Sequence, residues 1–440
     1  MTSKDSNYPN EGDSGKQITC LLVGAGSRGH NYSSYAIEFP KEFKVVGVVE
    51  PREFFRNREK KEHSIKDDLV FEDWPEAAAR DKFADCVIIA TPDRKHKDPA
   101  VAFAKKGYHI LLEKPMAVME DDCREIVSVC KQNRVLLAVC HVLRYASWAQ
   151  KIKEIIESGE IGEVVNIQHT EPVGFWHFAH SYVRGNWHNE ATSSNALLAK
   201  CCHDVDLIAY WMSPHKCIRV SSFGHLSHFR KEDKPDGAGS RCLDCGIETR
   251  CPYSAKKLYI DRVKLGLTGW PVSVVAEVPD IESVTDALRH GPYGCCVYQS
   301  DNDVMSHQVT NFQFENGATC SLSMVAFTSR LCAREVKVYG TKGEIICDAS
   351  HSPKVEVFDF LTQKSRQINC SDDVAPGRLK GHGNADYLLM QAFVQALRTG
   401  RQDLVVTGAE DTLASHLLVF AAEKARKENR VVDIQANCTF

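Results

Sequence analysis

A three-glycine turn followed at a fixed distance by an acid constrains this chain more than any other feature. Residues 20–29 read Cys-Leu-Leu-Val-Gly-Ala-Gly-Ser-Arg-Gly. The apolar run ending at Val23 predicts a buried strand. Gly24 permits a tight turn, Gly26 leaves room for a pyrophosphate, and Gly29 lets the next helix pack against the strand. That helix, carrying Ser27 and Arg28, offers unpaired N–H groups and its positive end to phosphates. Glu50, 21 residues after Gly29, closes the run Val45-Val46-Gly47-Val48-Val49. An acid at that place accepts hydrogen bonds from a ribose diol and repels a 2′-phosphate. The fingerprint therefore predicts a bound dinucleotide, NAD ahead of NADP, with Arg52 close to it. Arg56 and Arg58 follow and are the competing argument for NADP.

Residues 17–141 alternate strand and helix. Strands are predicted at 18–23, 45–50, 86–90, 109–112 and 135–140, and helices at 33–38, 74–80, 97–106 and 121–133. Such alternation implies parallel strands joined by right-handed crossovers. After residue 141 the pattern changes. A helix at 148–157, a strongly apolar helix at 195–211 and a series of strands, two of them flanking Glu315-Asn316-Gly317, predict a hairpin-rich sheet. The fold class is thus α/β: an N-terminal doubly wound parallel sheet at 17–141 and a C-terminal α+β domain at 142–440 with an open, largely antiparallel sheet. Residues 227–305 form an irregular, cysteine-containing insertion. Strands such as 320–327 and 334–339 carry apolar residues on alternating sides, predicting an uncovered apolar face and a homodimer or homotetramer.

Composition bounds the partners. A formal net charge of −4 gives no reason to expect nucleic acid, and no apolar run is long enough to span a membrane. Residues 1–16 are polar and read as a disordered tail without the apolar core of a signal peptide. A cytoplasmic, reducing setting with free thiols follows as the expectation for the 18 cysteines.

Two strand exits carry candidate chemistry. Thr91-Pro92-Asp93, with His96 beyond it, and Glu113-Lys114-Pro115 each follow a buried strand, where ligands sit in an open parallel sheet. Thr91, Pro92, His96, Glu113 and Lys114 are expected at the cofactor, and Arg144 at the domain junction beside them. In the helix at 195–211, Lys200, His203 and Asp206 recur at three-residue spacing and are expected on one face. A histidine between a cation and a carboxylate is suited to proton transfer. The loop from Phe175 to Asn189 brings Trp176 and Trp187, flat faces suited to the C–H surface of a small polyhydroxylated ring. Cys242-x2-Cys245-x5-Cys251, with Cys296 downstream, has spacing that suits a structural zinc. A disulfide pair and free thiols are the other readings.

Val-Gly-Ala-Gly-Ser-Arg-Gly, Ala-Thr-Pro-Asp at 90–93, Glu-Lys-Pro at 113–115 and His-x-x-Asp at 203–206 resemble the glucose–fructose oxidoreductase/inositol dehydrogenase family. The resemblance implies a Rossmann domain, a nicotinamide cofactor, and substrate contact through Lys114 and His203. Many members carry an Asp four residues before the histidine; here Ala199 stands there, with Lys200 beside it as the replacement. The cysteine pattern resembles a subgroup related to antibiotic-pathway cyclitol oxidoreductases. The expected function is hydride transfer between nicotinamide and a cyclitol or sugar hydroxyl, with Lys114, His203 and Lys200 catalytic and Trp176, Trp187 and Asp206 at the substrate. A redox-assisted glycosidase that retains NAD and a non-catalytic dinucleotide sensor are the alternatives.

Overall fold

The computed structural model describes residues 15–434 apart from 351, 371–378 and 380. Residues 1–14 of the expected tail lie outside the described residues.

Six parallel strands build the first sheet: β1 Ile18–Val23, β2 Phe43–Val49, β3 Val70–Phe71, β4 Cys86–Ile89, β5 His109–Leu112 and β6 Leu137–Val139, in the order β3-β2-β1-β4-β5-β6. Their central members are apolar runs buried on both faces, as crossover helices on either side of a parallel sheet require. The order reverses between β1 and β4, the place where a doubly wound sheet offers a crevice at the strands' C-terminal ends. The glycine turn, the Thr91 turn and the Lys114 turn all leave the sheet at this end. The last long helix, Ala409–Glu428, returns to this domain and buries Leu413 and Leu417 in its core.

The second sheet has nine strands: β7 Val164–Pro172, β8 Cys217–His225, β9 His307–Phe314, β10 Thr319–Val325, β11 Arg334–Gly340, β12 Gly343–Ala349, β13 Lys354–Asp359, β14 Lys364–Asn369 and β15 Val432–Asp433. Their order is β14-β13-β12-β11-β7-β10-β9-β8-β15, and only β7 with β10 pairs in parallel. Residues 227–305 form short helical turns around a small core of their own, with Ala255, Tyr259, Val272, Val284 and Leu288 at its centre.

The expected apolar outer face is not there. β10 buries Cys320, Leu322 and Met324 and turns Thr319, Ser321 and Ser323 the other way; β11 buries Val336 and Val338 and turns out Glu335 and Lys337. Each strand has one apolar side, and the helices cover it. Val165, Phe223, Val309 and Ile346 are exposed apolar islands on a largely polar surface.

Among the elements that escaped the sequence reading are the helix Ile281–His290 inside the stretch read as irregular, and three that escaped for identifiable reasons. The helix Glu53–Glu62 has almost no apolar stripe, β3 has only two residues, and β14 is an exposed edge strand of polar side chains. The first helix starts on the glycine turn itself, at Ser27. The predicted continuous helix at 195–211 is broken: Ala196–Ala199 and Cys202–Met212 are separate segments with Lys200 and Cys201 between them.

Candidate active site

The glycine turn is built as the fingerprint demands. Gly24 has φ +91°, and a Cβ there would lie 2.6 Å from the Ala90 carbonyl oxygen. A Cβ on Gly29 would fall 1.9 Å from the carbonyl oxygen of Gly24, so strand and helix touch only because the side chain is absent. Gly26, in contrast, is half-buried and Ser27 exposed, and a Cβ on Gly26 would meet nothing nearer than Arg52 at 3.5 Å. This cradle suits a pyrophosphate, and the NAD expected there would be held by backbone of residues 24–29.

Glu50 is not the free acceptor expected from sequence. It is buried, and its four acceptor positions are filled: the Ala25 N–H at 2.8 Å and the Arg52 side chain reach Oε2, and the Arg52 N–H and Nε reach Oε1. Burial works to raise its pKa, but the Arg52 hydrogen bonds prevail and hold it below the usual carboxylate range. Arg52 is half exposed, so it is the movable partner of a fixed charge.

Arg28 and Glu113 are also tied up rather than open to a ligand. Glu113 accepts from Arg28 Nε at 2.7 Å, from the Tyr32 hydroxyl at 2.8 Å, and from the backbone N–H of Lys114 at 2.7 Å. Its role is to shape the turn that presents Lys114. His96 is fully buried, with Nδ1 2.8 Å from the Pro115 carbonyl and Nε2 2.8 Å from the Thr91 carbonyl. It clips the two strand-exit turns together; Thr91 is half-buried and Pro92 exposed on the first of them.

Lys114 crosses to the second domain. Its ammonium donates to the Ala199 carbonyl at 2.7 Å and lies 5.9 Å from the centre of the Trp187 ring. The Trp187 indole donates to Asp93 at 3.1 Å. His203 stands beside Lys114, and burial and that neighbouring charge push its pKa well below the ordinary histidine value. Its Nδ1 has no hydrogen-bond partner among the described residues. Lys114, His203 and Trp187 are thus brought together.

Lys200, Asp206, Arg144 and Trp176 are not. The helix break turns Lys200 away from His203, and its buried ammonium lies 2.9 Å from Cys332 Sγ and 3.3 Å from Glu171. Asp206 is fully buried and takes two bonds from Arg144, at 2.6 and 2.8 Å, and one from Ser415 at 2.8 Å. Arg144 is consumed by that pair and by the Val406 carbonyl. The pair ties the segment after β6 to the helix of His203 and to the C-terminal helix, and both residues are engaged. Trp176 packs on Trp270 and Arg262 of the insertion.

The four cysteines do not form a metal cage. Cys242, Cys245, Cys251 and Cys296 do line one small cavity, but Arg184 enters it too and donates to Cys242 Sγ at 3.4 Å. Cys245 Sγ accepts the Gly239 N–H at 3.4 Å, and the described cysteines are free. Among the described residues no group of three or more His, Cys, Asp or Glu is placed to hold a metal ion. The spacing that suggested zinc brings the thiols to one cavity without making a four-ligand cage.

One pair was missed altogether. His382 and Asp386 lie at the start of the helix Ala385–Thr399, and the His382 ring centre is 5.9 Å from that of His203. Asp386 binds Arg28 through both carboxylate oxygens, at 2.8 and 2.9 Å. Gly381-His382-Gly383 was the available signal in the sequence: a histidine set between two glycines ahead of an amphipathic helix.

Comparison with known proteins agrees with this architecture. Residues 18–141 match the family model described as "Oxidoreductase family, NAD-binding Rossmann fold". Residues 149–240 match "GFO/IDH/MocA C-terminal domain", and residues 276–434 match "Oxidoreductase family, C-terminal alpha/beta domain". The Bacillus subtilis protein YteT, named an oxidoreductase, is 23% identical over 340 residues, covering 74% of this chain and 76% of its own. The 2,7-anhydro-N-acetylneuraminate hydratase of Escherichia coli is 29% identical over 153 residues; the match spans 35% of this chain and 40% of that protein. A solved oxidoreductase of Agrobacterium radiobacter, in complex with NAD+, L-tartaric acid and magnesium, shares the fold with a TM-score of 0.68 at 16% identity, covering 95% of this chain and 98% of its own. Among the described residues no helix is long and apolar enough to cross a membrane.

The buried histidines give the protein a defined acid sensitivity. Burial pushes His141 and His180 down to about 3 and lowers His203 and His416 too. His141 and His180 stay neutral in the fold down to about pH 5, and all four take a proton more readily when unfolded, below about pH 6.5. Stability is therefore expected to fall as pH drops from about 7 to 5, His141 and His180 each costing up to about 2 kcal/mol by pH 5. Urea titrations at stepped pH check this; a flat profile would contradict it.

Proposed function

This chain belongs to the GFO/IDH/MocA oxidoreductase family, and we propose that it transfers hydride between NAD and a hydroxyl-bearing carbon of a cyclitol or sugar. The observation that carries the reading is the meeting of Lys114 and His203 beside the crevice that holds the glycine turn. A bound nicotinamide supplies or accepts the hydride. Everything else falls to the chain. His203, neutral at physiological pH because it is buried beside a cation, is ready to take the proton of a substrate hydroxyl. Lys114 places a positive charge where the oxygen becomes negative, and its own position is fixed by the Glu113 turn and the Ala199 carbonyl. Trp187, held by Asp93, offers an aromatic face alongside for the C–H side of a ring.

A redox-neutral elimination or hydration on a sugar is the second reading, favoured by the likeness to the Escherichia coli hydratase. A panel of polyols, sugars and glycosides, followed by nicotinamide absorbance and product mass, separates the two: a product without net change in absorbance selects the second. In either case Lys114→Ala and His203→Ala are expected to lose at least about a hundredfold in turnover, the scale of acid–base catalysis. Near-normal turnover in either variant removes that residue from the mechanism.

NAD is expected to bind more tightly than NADP. Glu50 is fixed and charged while Arg52 is movable, so a ribose hydroxyl can take Arg52's place on the carboxylate, whereas a 2′-phosphate meets like charge. Calorimetric titration of both dinucleotides decides this, and tighter NADP binding would mean that Arg52 turns to the 2′-phosphate instead. The proposal includes a homodimer or homotetramer; because the helix-free face is largely polar, a second copy there would be held by polar contacts around the exposed Val165, Phe223, Val309 and Ile346. Light scattering at micromolar concentration is expected to give a multiple of the chain mass; a monomer would overturn it.

A further inference from the structure

A proton taken by His203 must reach solvent before the next turnover, and His203 itself is only 5% exposed. Three groups adjoin it. Lys114 is already a cation bound to the Ala199 carbonyl. His141, whose ring centre is 5.5 Å away, is fully buried and leads inward, toward Asp206 at 3.9 Å. His382, at 5.9 Å, has a side chain 36% exposed. Among the described residues it is the one histidine that both packs against the His203 ring and reaches water.

Its setting is specific. Nδ1 of His382 lies 3.0 Å from Oδ1 of Asp386. A carboxylate there makes Nδ1 the protonated nitrogen and leaves Nε2 with a free lone pair. Asp386 is buried and immobile: Arg28 grips both its oxygens and Asn31 donates at 2.7 Å. The loop is shaped to permit the pair. A Cβ on Gly381 would fall 1.8 Å from Asp386 Oδ2. His382, Gly383 and Asn384 take φ of +50°, +61° and +74°, three successive left-handed residues. Two non-glycine residues held in that region mark a segment whose conformation is imposed by its surroundings.

We propose that His382, oriented by Asp386, carries the substrate proton between His203 and solvent. The inference rests on the oxidoreductase reading above. In the oxidative direction the substrate C–H gives its hydride, with both electrons, to the nicotinamide dinucleotide. The O–H proton passes to His203, then to Nε2 of His382, and then to buffer, leaving a carbonyl. His382 is thus a relay residue acting through His203.

The test uses the full chain with NAD+ bound. His382→Asn, a replacement that tolerates the left-handed backbone, is expected to lower steady-state kcat by about tenfold or more in weak buffer. Single-turnover hydride transfer, KM and NAD affinity should stay within about twofold. Added imidazole, a mobile proton carrier, should restore kcat in the variant and leave the wild type unchanged. Unaltered kcat, or a deficit that imidazole does not repair, overturns the relay. A second measurement needs no substrate. Nitrogen-15 correlation spectra of histidine-labelled, NAD-loaded protein should show His382 as the Nδ1–H tautomer, and Asp386→Asn should abolish that preference. An Nε2–H tautomer in the wild type overturns the proposal whatever the substrate. Absence of wild-type turnover across the whole panel, with the expected tautomer present, counts against the oxidoreductase reading and not against the dyad.

Discussion

One guanidinium holds the two halves of this protein in working register. Arg28 leaves the helix that follows the glycine turn, bonds Glu113 on the Lys114 turn, and grips Asp386 at the head of a second-domain helix. The glycine turn, the Lys114 turn and the second domain therefore meet at a single charge. Desolvation opposes that charge, but Asp386, Tyr32 and Glu113 outweigh it and raise its pKa well above the arginine value. On the other side, burial works to raise Asp386, yet Arg28 holds it far below the usual carboxylate range. Such a buried array adds little net stability over an apolar contact of the same shape, but removing one member leaves the others uncompensated. What it supplies is a defined geometry between parts that a flexible crossing would leave loose.

The second tie follows the same logic at the other edge of the junction. Arg144 comes from the segment just after β6, Asp206 from the helix that carries His203, and Ser415 from the returning C-terminal helix. His416, one residue on, takes the Met116 N–H on Nε2 and gives Nδ1–H to the Thr412 carbonyl, so its tautomer is fixed and its ring neutral. The Lys114 turn is thereby held from both sides: His416 at Met116, and His96 at Pro115. Placement of one ammonium is over-determined, the condition for a charge that acts without reorganising.

These ties explain which parts of the site could be read in the sequence. The glycine turn, the strand exits and the burial of β1, β4 and β5 follow from local pattern: Gly24 and Gly29 are needed whatever lies elsewhere, and an apolar run marks a central strand from within itself. Lys114 and His203 were legible because a lysine at a strand exit and a histidine in an apolar helix stand out against their neighbours. Partner choice was not legible. Periodicity says which face a residue occupies, but not that Asp206 meets Arg144 sixty-two positions away, or Arg28 meets Asp386 across 358. Glu50 read as an open ligand for the same reason: its acceptors are filled by the Ala25 N–H and by Arg52, which a ribose must displace, in a way spacing alone does not reveal. His382 went unseen because its partner, Asp386, acquires meaning only through Arg28.

The break in the helix at Lys200 shows how one displaced side chain serves the site. An uninterrupted helix would carry Lys200 and His203 on one face and spend the Ala199 carbonyl on the next turn. Here Lys200 is drawn toward β7 and β11, where Glu171 and Asp204 meet Arg334, and where its ammonium contacts Cys332. Two cations and two carboxylates balance in that buried layer. The chain unwinds at Lys200 and Cys201, and the Ala199 carbonyl turns to the ammonium of Lys114. A lysine that reads as a catalytic replacement for a missing acid instead pairs with acids beneath the site. By breaking the helix it frees the backbone oxygen that accepts a hydrogen bond from the ammonium of Lys114.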